Sequence, residues 1–295
     1  MDDCWVALEQ HISAVTSEPF TVRQQQSLGG GCINQAYWVS DGKRRYFAKF
    51  NAAAKLEMFE AEAAGLTALA ATATVRVPQP LCHGIANGES YLVLEYLPLG
   101  GKRSHAMEWL GRQLAGLHDK PQPYFGWHRN NTIGATPQSN GHCEDWVEFW
   151  RQQRLGFQLE LAAFNGYGGA LQRWGEQLSL HLEGLFRGYR PRPALLHGDL
   201  WGGNVGCLVD GEPVIYDPAV YYGDREADLA MTELFGGFSE RFYAAYREAL
   251  PLEVGYPQRR TLYNLYHVLN HLNLFGGGYH AQAEDMIAQL LAELR

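Results

Sequence analysis

The sequence predicts an α+β chain of two lobes: a small antiparallel-sheet lobe with one helix over residues 1–97, and a larger, mainly helical lobe over 98–295. Three observations predict it. Up to residue 97 the apolar positions mostly alternate with the period of two that a half-buried strand needs, broken by one Ala-, Leu- and Glu-rich run. Beyond that point apolar residues recur at three- and four-residue spacing, the mark of amphipathic helices. Between the two patterns stands "PLGG" at 98–101, a turn-forming stretch suited to a hinge. With 295 residues and 46% hydrophobic content, the chain can bury a core in each lobe.

Taken in order, "MDDCWVALEQ" reads as an amphipathic helix. "FTVRQQQSL" and "AYWVS" are strands on either side of a Gly-rich turn, Asp41-Gly42 is a hairpin signal, and "RRYFAKF" is a third strand. "KLEMFEAEAAGLTALAA" is a helix expected to bury Met58, Ala61, Leu66 and Leu69. "QPLCHGI" and "SYLVLEYL" complete the sheet. In the second lobe "SHAMEWLGRQLAGLH", "EDWVEFWRQQRLGFQLELAAF", "DREADLAMTELF" and "TLYNLYHVLNHLNLF" carry helical spacing, and "GCLVDGEPVIYD" is a hairpin turning at Asp210-Gly211.

Composition excludes several functions. A net charge of -8 without a long basic run argues against nucleic acid as a partner. The acidic start does not read as a leader, and no segment approaches 18 uninterrupted apolar residues, so no membrane span is expected and the expected address is the cytoplasm. Five scattered cysteines (Cys4, Cys32, Cys82, Cys143, Cys207) suit reduced thiols rather than a disulfide framework or zinc ligands.

The order of elements resembles a protein kinase-like bilobal fold, and phosphoryl transfer from ATP has a short list of needs: a cover for the phosphates, a lysine on them, an acid to hold that lysine, a base for the acceptor hydroxyl and oxygen ligands for Mg2+. Gly29, Gly30 and Gly31 between two strands let backbone N–H groups approach an anion. Lys49 lies mid-strand among apolar neighbours, where an ammonium is costly unless paired, and Glu60 or Glu62 on the next helix is its partner. In "LLHGDLWGGNV", Asp199 precedes Asn204 by five places, and Asp217 follows Asn204 by thirteen. That is the spacing of a catalytic Asp and two metal ligands in kinases. His197 reads as a buried histidine bonded to backbone, and a zinc site there lacks further ligands. Gly198 stands where protein kinases keep an arginine, and "DPAVYYGDREADLA" replaces a phosphorylatable activation segment, so the acceptor is a small molecule.

The strings "HGDLWGGN", "DPAVYYGDREADLAMTELFGGF", "NNTIGATPQSN", "DWVEFWRQQRL" and "LYHVLNHLNLFGGGY" resemble the fructosamine kinase (ketosamine-3-kinase) family, within the aminoglycoside phosphotransferase and choline kinase superfamily. The resemblance implies ATP-dependent phosphorylation of the C3 hydroxyl of ketosamines, including glycated protein lysines, leading to deglycation. By it Asp199 is the catalytic base, Asn204 and Asp217 hold Mg2+, Lys49 binds phosphate oxygens, and "FEAE" favours Glu62 as the partner of Lys49. Glu95 and Leu97 offer backbone groups to adenine. Trp201 packs against the substrate, and Asn270 and His271 are further substrate candidates beside a reading as core polar residues. Asp228 is structural, bonding the catalytic loop or capping a helix. Trp146 and Trp150 are core, while Asn130 and residues 136–140 match the family without a role of their own. Cys32, after the three glycines, is a redox candidate, so the chain is expected as a monomer or a redox-linked homodimer. A kinase of choline or aminoglycoside type and a silent nucleotide-binding scaffold are the alternatives.

Overall fold

The computed structural model describes residues 2–29, 33–100 and 103–294. They divide into two compact units, Met1–Ala106 with Gly206–Pro218, and Met107–Val205 with Ala219–Arg295.

The first unit runs through α1 (Asp2–Thr16), β1 (Gln24–Leu28), β2 (Gln35–Ser40), β3 (Arg45–Ala52), α2 (Leu56–Ala71), β4 (Pro80–Ala86) and β5 (Glu89–Glu95). The five strands form one antiparallel sheet in the order β1-β2-β3-β5-β4. Cys4, Leu8 and Ile12, spaced by four, make one stripe of α1 and bury against Val39, Ala48, Phe50, Tyr91 and Val93. Truncating Leu8 to Ala in such a core costs about 2–5 kcal/mol. Ala48 and Phe50 share that face of β3, so the pleat turns Lys49 to the opposite one. There α2 buries Phe59, Ala61, Ala63, Leu66 and Leu69. Met58, read on one face with Leu66 and Leu69, is half-buried where they are fully buried.

Beyond β5, α3 (Arg103–His118) leads into the second unit, which holds β6 (Asn131–Ile133), β7 (Thr136–Gln138), α4 (Trp146–Trp150), a π-helical turn (Arg151–Gly156), α5 (Phe157–Phe164), α6 (Ala170–Leu180) and β8 (Ala194–Leu196). The hairpin of β9 (Val205–Cys207) and β10 (Pro213–Ile215) belongs, from Gly206 onward, to the first unit. By its position in the chain it reads as part of the second lobe. Its backbone bonds explain the difference: Gly100 N–H donates to Cys207 C=O at 3.0 Å, Val209 N–H to Pro98 C=O at 3.1 Å and Ile215 N–H to Arg76 C=O at 3.0 Å.

The second unit closes with β11 (Tyr221–Gly223), paired with β8, and with α7 (Glu226–Leu234), α8 (Glu240–Ala249), α9 (Tyr256–Phe275) and α10 (Tyr279–Glu293). Leu262, Tyr263, Leu265, Tyr266, Val268 and Leu269 surround α9 with buried apolar surface, so it is the central helix of this unit. Arg259 in its first turns meets Glu226 of α7 through two bonds, at 2.6 and 3.0 Å, both side chains buried. Trp146 and Trp150 are core, as read from the sequence. No helix of the described residues is long and apolar enough to cross a membrane.

Candidate active site

In the first unit the Lys49 ammonium is the focus. It lies 2.7 Å from Glu62 Oε1 and 2.6 Å from Asp217 Oδ1, with the lysine 5% exposed. Glu62, rather than Glu60, is therefore the residue of α2 that meets it. Burial alone would release the proton of Lys49, but the charges of Asp217 and Glu62 outweigh it and hold the ammonium above its ordinary range. Burial pushes the Glu62 carboxyl up against the pull of Lys49. Asp217 has a left-handed backbone, φ 56°, which Asp adopts more readily than most residues, and about half of its side chain is exposed.

The second unit carries the loop after β8. His197 is fully buried, and its Nδ1 accepts the N–H of Asp199 at 3.2 Å. Gly198 has φ 82°, and a Cβ there would stand 2.1 Å from the carbonyl oxygen of Ala219, so no other residue fits. Asp228, 1% exposed in the first turn of α7, accepts the backbone N–H of His197 at 2.7 Å and of Gly198 at 2.8 Å, and His118 Nε2 lies 3.2 Å from it. Between the two structural roles read for Asp228, the bonds select the one that holds the loop. Burial pushes its carboxyl up, but the hydrogen bond and charge of His118, with His197 and the Gly198 N–H, bring it below the usual carboxylate range. Asn204 turns its amide back on the same loop, donating from Nδ2 to the carbonyl of Asp199 at 2.9 Å and to its carboxylate at 3.2 Å.

Trp201 is 39% exposed. Its ring lies over Gly203, where a Cβ would sit 2.3 Å from the indole, and it meets Phe235 edge-on at 6.1 Å. Phe235 in turn meets His271 at 4.9 Å, so Trp201 and His271 lie on one aromatic track continued by Phe275 and Tyr279. Asn270 is 2% exposed and uses its amide inside the core, toward Gln158 and the carbonyl of Ile133, both at 3.4 Å. The structure thus joins His271, not Asn270, to Trp201.

Other candidates fall elsewhere. Glu95 ends β5 and pairs with Arg76 through its side chain, while its N–H donates to Gln79; the carbonyl of Leu97 accepts from Leu99 at 2.9 Å. Gly29 follows β1, and among the described residues no atom lies within 4 Å of a Cβ position there. Gly30, Gly31 and Cys32 lie outside the described residues, and with them the redox reading. The remaining cysteines are free thiols, three of them buried.

A family model described as fructosamine kinase matches residues 4–293, nearly the whole chain. The chain belongs to the fructosamine kinase family. A Synechocystis relative named as a probable ketoamine kinase is 50% identical over 291 residues, 97% of each chain. The chloroplastic protein-ribulosamine 3-kinase of Arabidopsis thaliana is 44% identical over 272 residues, 91% of this chain and 83% of that one. A crystal structure from Haemophilus somnus, named for a fructosamine-3-kinase, matches at a TM-score of 0.90 and 29% identity, covering 97% of both chains. An aminoglycoside phosphotransferase crystallised with AMP-PNP and hygromycin B has a TM-score of 0.60 at 13% identity, covering 97% of this chain and 98% of that one; it shares the kinase-like fold.

The donor chemistry of this fructosamine kinase family member fits the nucleotide and metal of a kinase. Asn204 and Asp217 carry amide and carboxylate oxygens, the hard donors that magnesium takes, and Lys49 is a buried cation of the kind that meets phosphate. Sequence reasoning gave no part to His118 or Phe235. The His at the end of α3 is indistinguishable from a surface histidine until the fold brings Asp228 to it. Phe235 was legible only as the apolar end of "DREADLAMTELF".

Proposed function

We propose that this protein is an ATP-dependent kinase that phosphorylates the C3 hydroxyl of ketosamines and so begins their removal from amines. The observation that carries the reading is the buried Lys49 ammonium held between Glu62 and Asp217, a cation with no apolar-packing purpose. It stands beside the family match over residues 4–293.

When bound, magnesium would neutralise the charge that builds on the transferred phosphoryl group. Asn204 and Asp217 are its proposed ligands, and Lys49 the proposed contact to phosphate oxygens. Glu62 orients Lys49 and, with Asp217, keeps it protonated. The backbone of Glu95 and Leu97 would take adenine, and the glycines from Gly29 to Gly31 would cover the phosphates.

Asp199 orients the acceptor hydroxyl and accepts its proton as the C3 oxygen bonds to the γ-phosphorus and the bond from that phosphorus to the bridging oxygen of ADP breaks. The Asn204 amide on its carboxylate and the Asp199 N–H on His197 fix its aim. Trp201 offers an exposed aromatic face to the ketosamine and to the positive charge of its amine, with His271 further along the track. The product then enolises, the C3 phosphate becomes allylic and leaves, and water hydrolyses the imine that remains, returning the amine.

The test is ADP release with ribulose-, psicose- and fructose-lysine, each with and without magnesium, against choline and an aminoglycoside. Magnesium-dependent turnover of a ketosamine supports the reading. Turnover of choline or the aminoglycoside alone, or none with any acceptor, overturns it.

A further inference from the structure

Two sequence words have no part in the chemistry above, the segment of residues 130–140 and "DWVEFWRQQRL" of residues 145–155. The fold brings them together. In the β6–β7 hairpin Asn131 stands opposite Gln138. Gln138 is 1% exposed and every polar atom of its side chain is used. Its Nε2 donates to the carbonyl of Ala219 at 3.1 Å and to Asn131 Oδ1 at 2.8 Å, and its Oε1 accepts from the Tyr266 hydroxyl at 2.7 Å. Asn131 Nδ2 donates to the next carbonyl, that of Val220, at 2.8 Å. Asn140 donates to Asn131 Oδ1 at 2.9 Å and receives Arg154 at 2.7 Å.

Arg154 is a fully buried guanidinium with no carboxylate at ion-pair distance among the described residues. Carbonyls, the Asn140 amide and the faces of Tyr221 at 4.1 Å and Phe149 at 4.7 Å stabilise it. It sits in the π-helical turn, and Gly156 is required there because a Cβ would come 2.6 Å from the carbonyl of Arg151. A buried cation without a counter-ion is an expensive way to fill space, so its value lies in what it fixes.

Through Asn140 it reaches Asn131 and Gln138, which bond the carbonyls of Val220 and Ala219. The Ala219 N–H holds the carbonyl of His197 at 2.8 Å, and the Ala219 carbonyl is the atom against which Gly198 packs. The turn that carries Asp199 therefore rests on the backbone of Ala219, whose carbonyl Gln138 bonds.

We propose that Gln138 is a positioning residue of the phosphotransfer loop, acting through the Ala219 peptide, with Arg154 holding it through Asn140 and Asn131. This rests on the reading of His197 to Asn204 as that loop. A loss of aim on the order of 1 Å at a reacting group lowers turnover roughly 10²-fold.

The experiment compares wild type, Gln138→Met and Gln138→Glu with Tyr189→Phe, which loses a part-buried hydrogen bond to Asp224, beyond the end of the β8–β11 ladder opposite to His197. At a temperature where all are folded, Gln138→Met is expected to lose about 10- to 100-fold in kcat with KM for ATP within about threefold, while Tyr189→Phe keeps its kcat. Gln138→Glu regains a donor when its buried carboxyl is protonated, so its kcat relative to wild type rises as pH is lowered from about 8 to 6. Hydrogen exchange supplies a readout independent of activity: the amides of His197 to Asp199 exchange faster in either Gln138 variant and unchanged in Tyr189→Phe. A Gln138→Met kcat no lower than that of Tyr189→Phe, or unchanged exchange in that turn, overturns the proposal. If wild type phosphorylates no ketosamine, the function fails and hydrogen exchange alone decides the positioning. Should Gln138→Met not fold, Gln138→Glu decides by the same two measurements.

Discussion

One carboxylate oxygen of Asp228 accepts the backbone N–H of Gly198 at 2.8 Å, tying the first turn of α7 to the residue before Asp199. The other oxygen takes the N–H of His197 and the imidazole of His118. Asp228→Asn keeps the shape but turns one acceptor into a donor facing an N–H. Breaking such a buried, charge-assisted cluster costs about 3–5 kcal/mol. The expected result is a lowered Tm together with at least a roughly tenfold loss of turnover; a variant with the wild-type Tm would show that the loop stands without it. The sign with pH follows from the depressed folded-state pKa: the contribution is present above the unfolded value of about 3.9 and is lost as pH falls through the folded one.

Gly198→Ala is the sharpest test of the loop's backbone. The added methyl would meet the Ala219 carbonyl and the residue would have to hold φ 82°. A strained backbone of this kind costs about 1–3 kcal/mol before the clash is counted. We expect turnover to fall by about 10² or more, with the loss of amide protection concentrated at His197 and Gly198. Normal turnover would mean that this close approach is not required.

Asp199→Asn removes the proposed proton acceptor while preserving its size. Turnover should drop by at least ~10² and nucleotide affinity should change little. Isothermal titration with a non-hydrolysable nucleotide beside the kinetic assay separates the two. Near-normal kcat in this variant would sink the assignment of the base.

How much of this was legible in the sequence follows from what each signal depends on. The strands, α2 and α9 announce themselves through local periodicity, and Lys49, Asp199, Asn204 and Asp217 through residue type at fixed spacing. α6, α8 and α10 carry helical spacing of their own, as at Leu171 and Leu178 or Phe242, Ala245 and Tyr246, yet none of them is among the helices read from the sequence. The rest depends on long-range pairing: the short β8–β11 pair is too brief to show alternation. The hairpin of β9 and β10 reads as part of the second lobe by position, and only its bonds to Pro98, Gly100 and Arg76 place it with the first unit. Asn270 and His271 are neighbours in sequence, yet one turns into the core and the other joins the aromatic track, a choice fixed by the packing of α9 on all sides.

His267 gives a prediction in pH. It is buried on α9 with no partner at Nδ1 among the described residues, and burial first, then the charge of His271, push it down to about 3. The unfolded chain takes up a proton near pH 6.5 that the folded one refuses, so stability falls as pH drops below that value. From pH 6.5 to 5 this group alone should remove roughly 2 kcal/mol, at 1.36 kcal/mol per pH unit. Urea unfolding at pH 7 and pH 5 for wild type and His267→Gln checks it: the decline should be shallower in the variant. Parallel declines would show that other groups carry the acid sensitivity.

Trp201→Ala tests the proposed substrate face. The ring is 39% exposed and rests on Gly203 and Phe235, so truncation removes those contacts together with the exposed face. A cation over an indole is worth roughly 0.5–2 kcal/mol, which translates into a rise of several-fold to tens-fold in KM for the ketosamine. KM for ATP should stay within about twofold, because the ring is proposed to touch the acceptor alone. Trp201→Phe keeps an aromatic face with a weaker quadrupole and should fall between the two. If instead both KM values rise together and Tm drops by several degrees, the indole is a structural support for the loop and the ketosamine is held elsewhere.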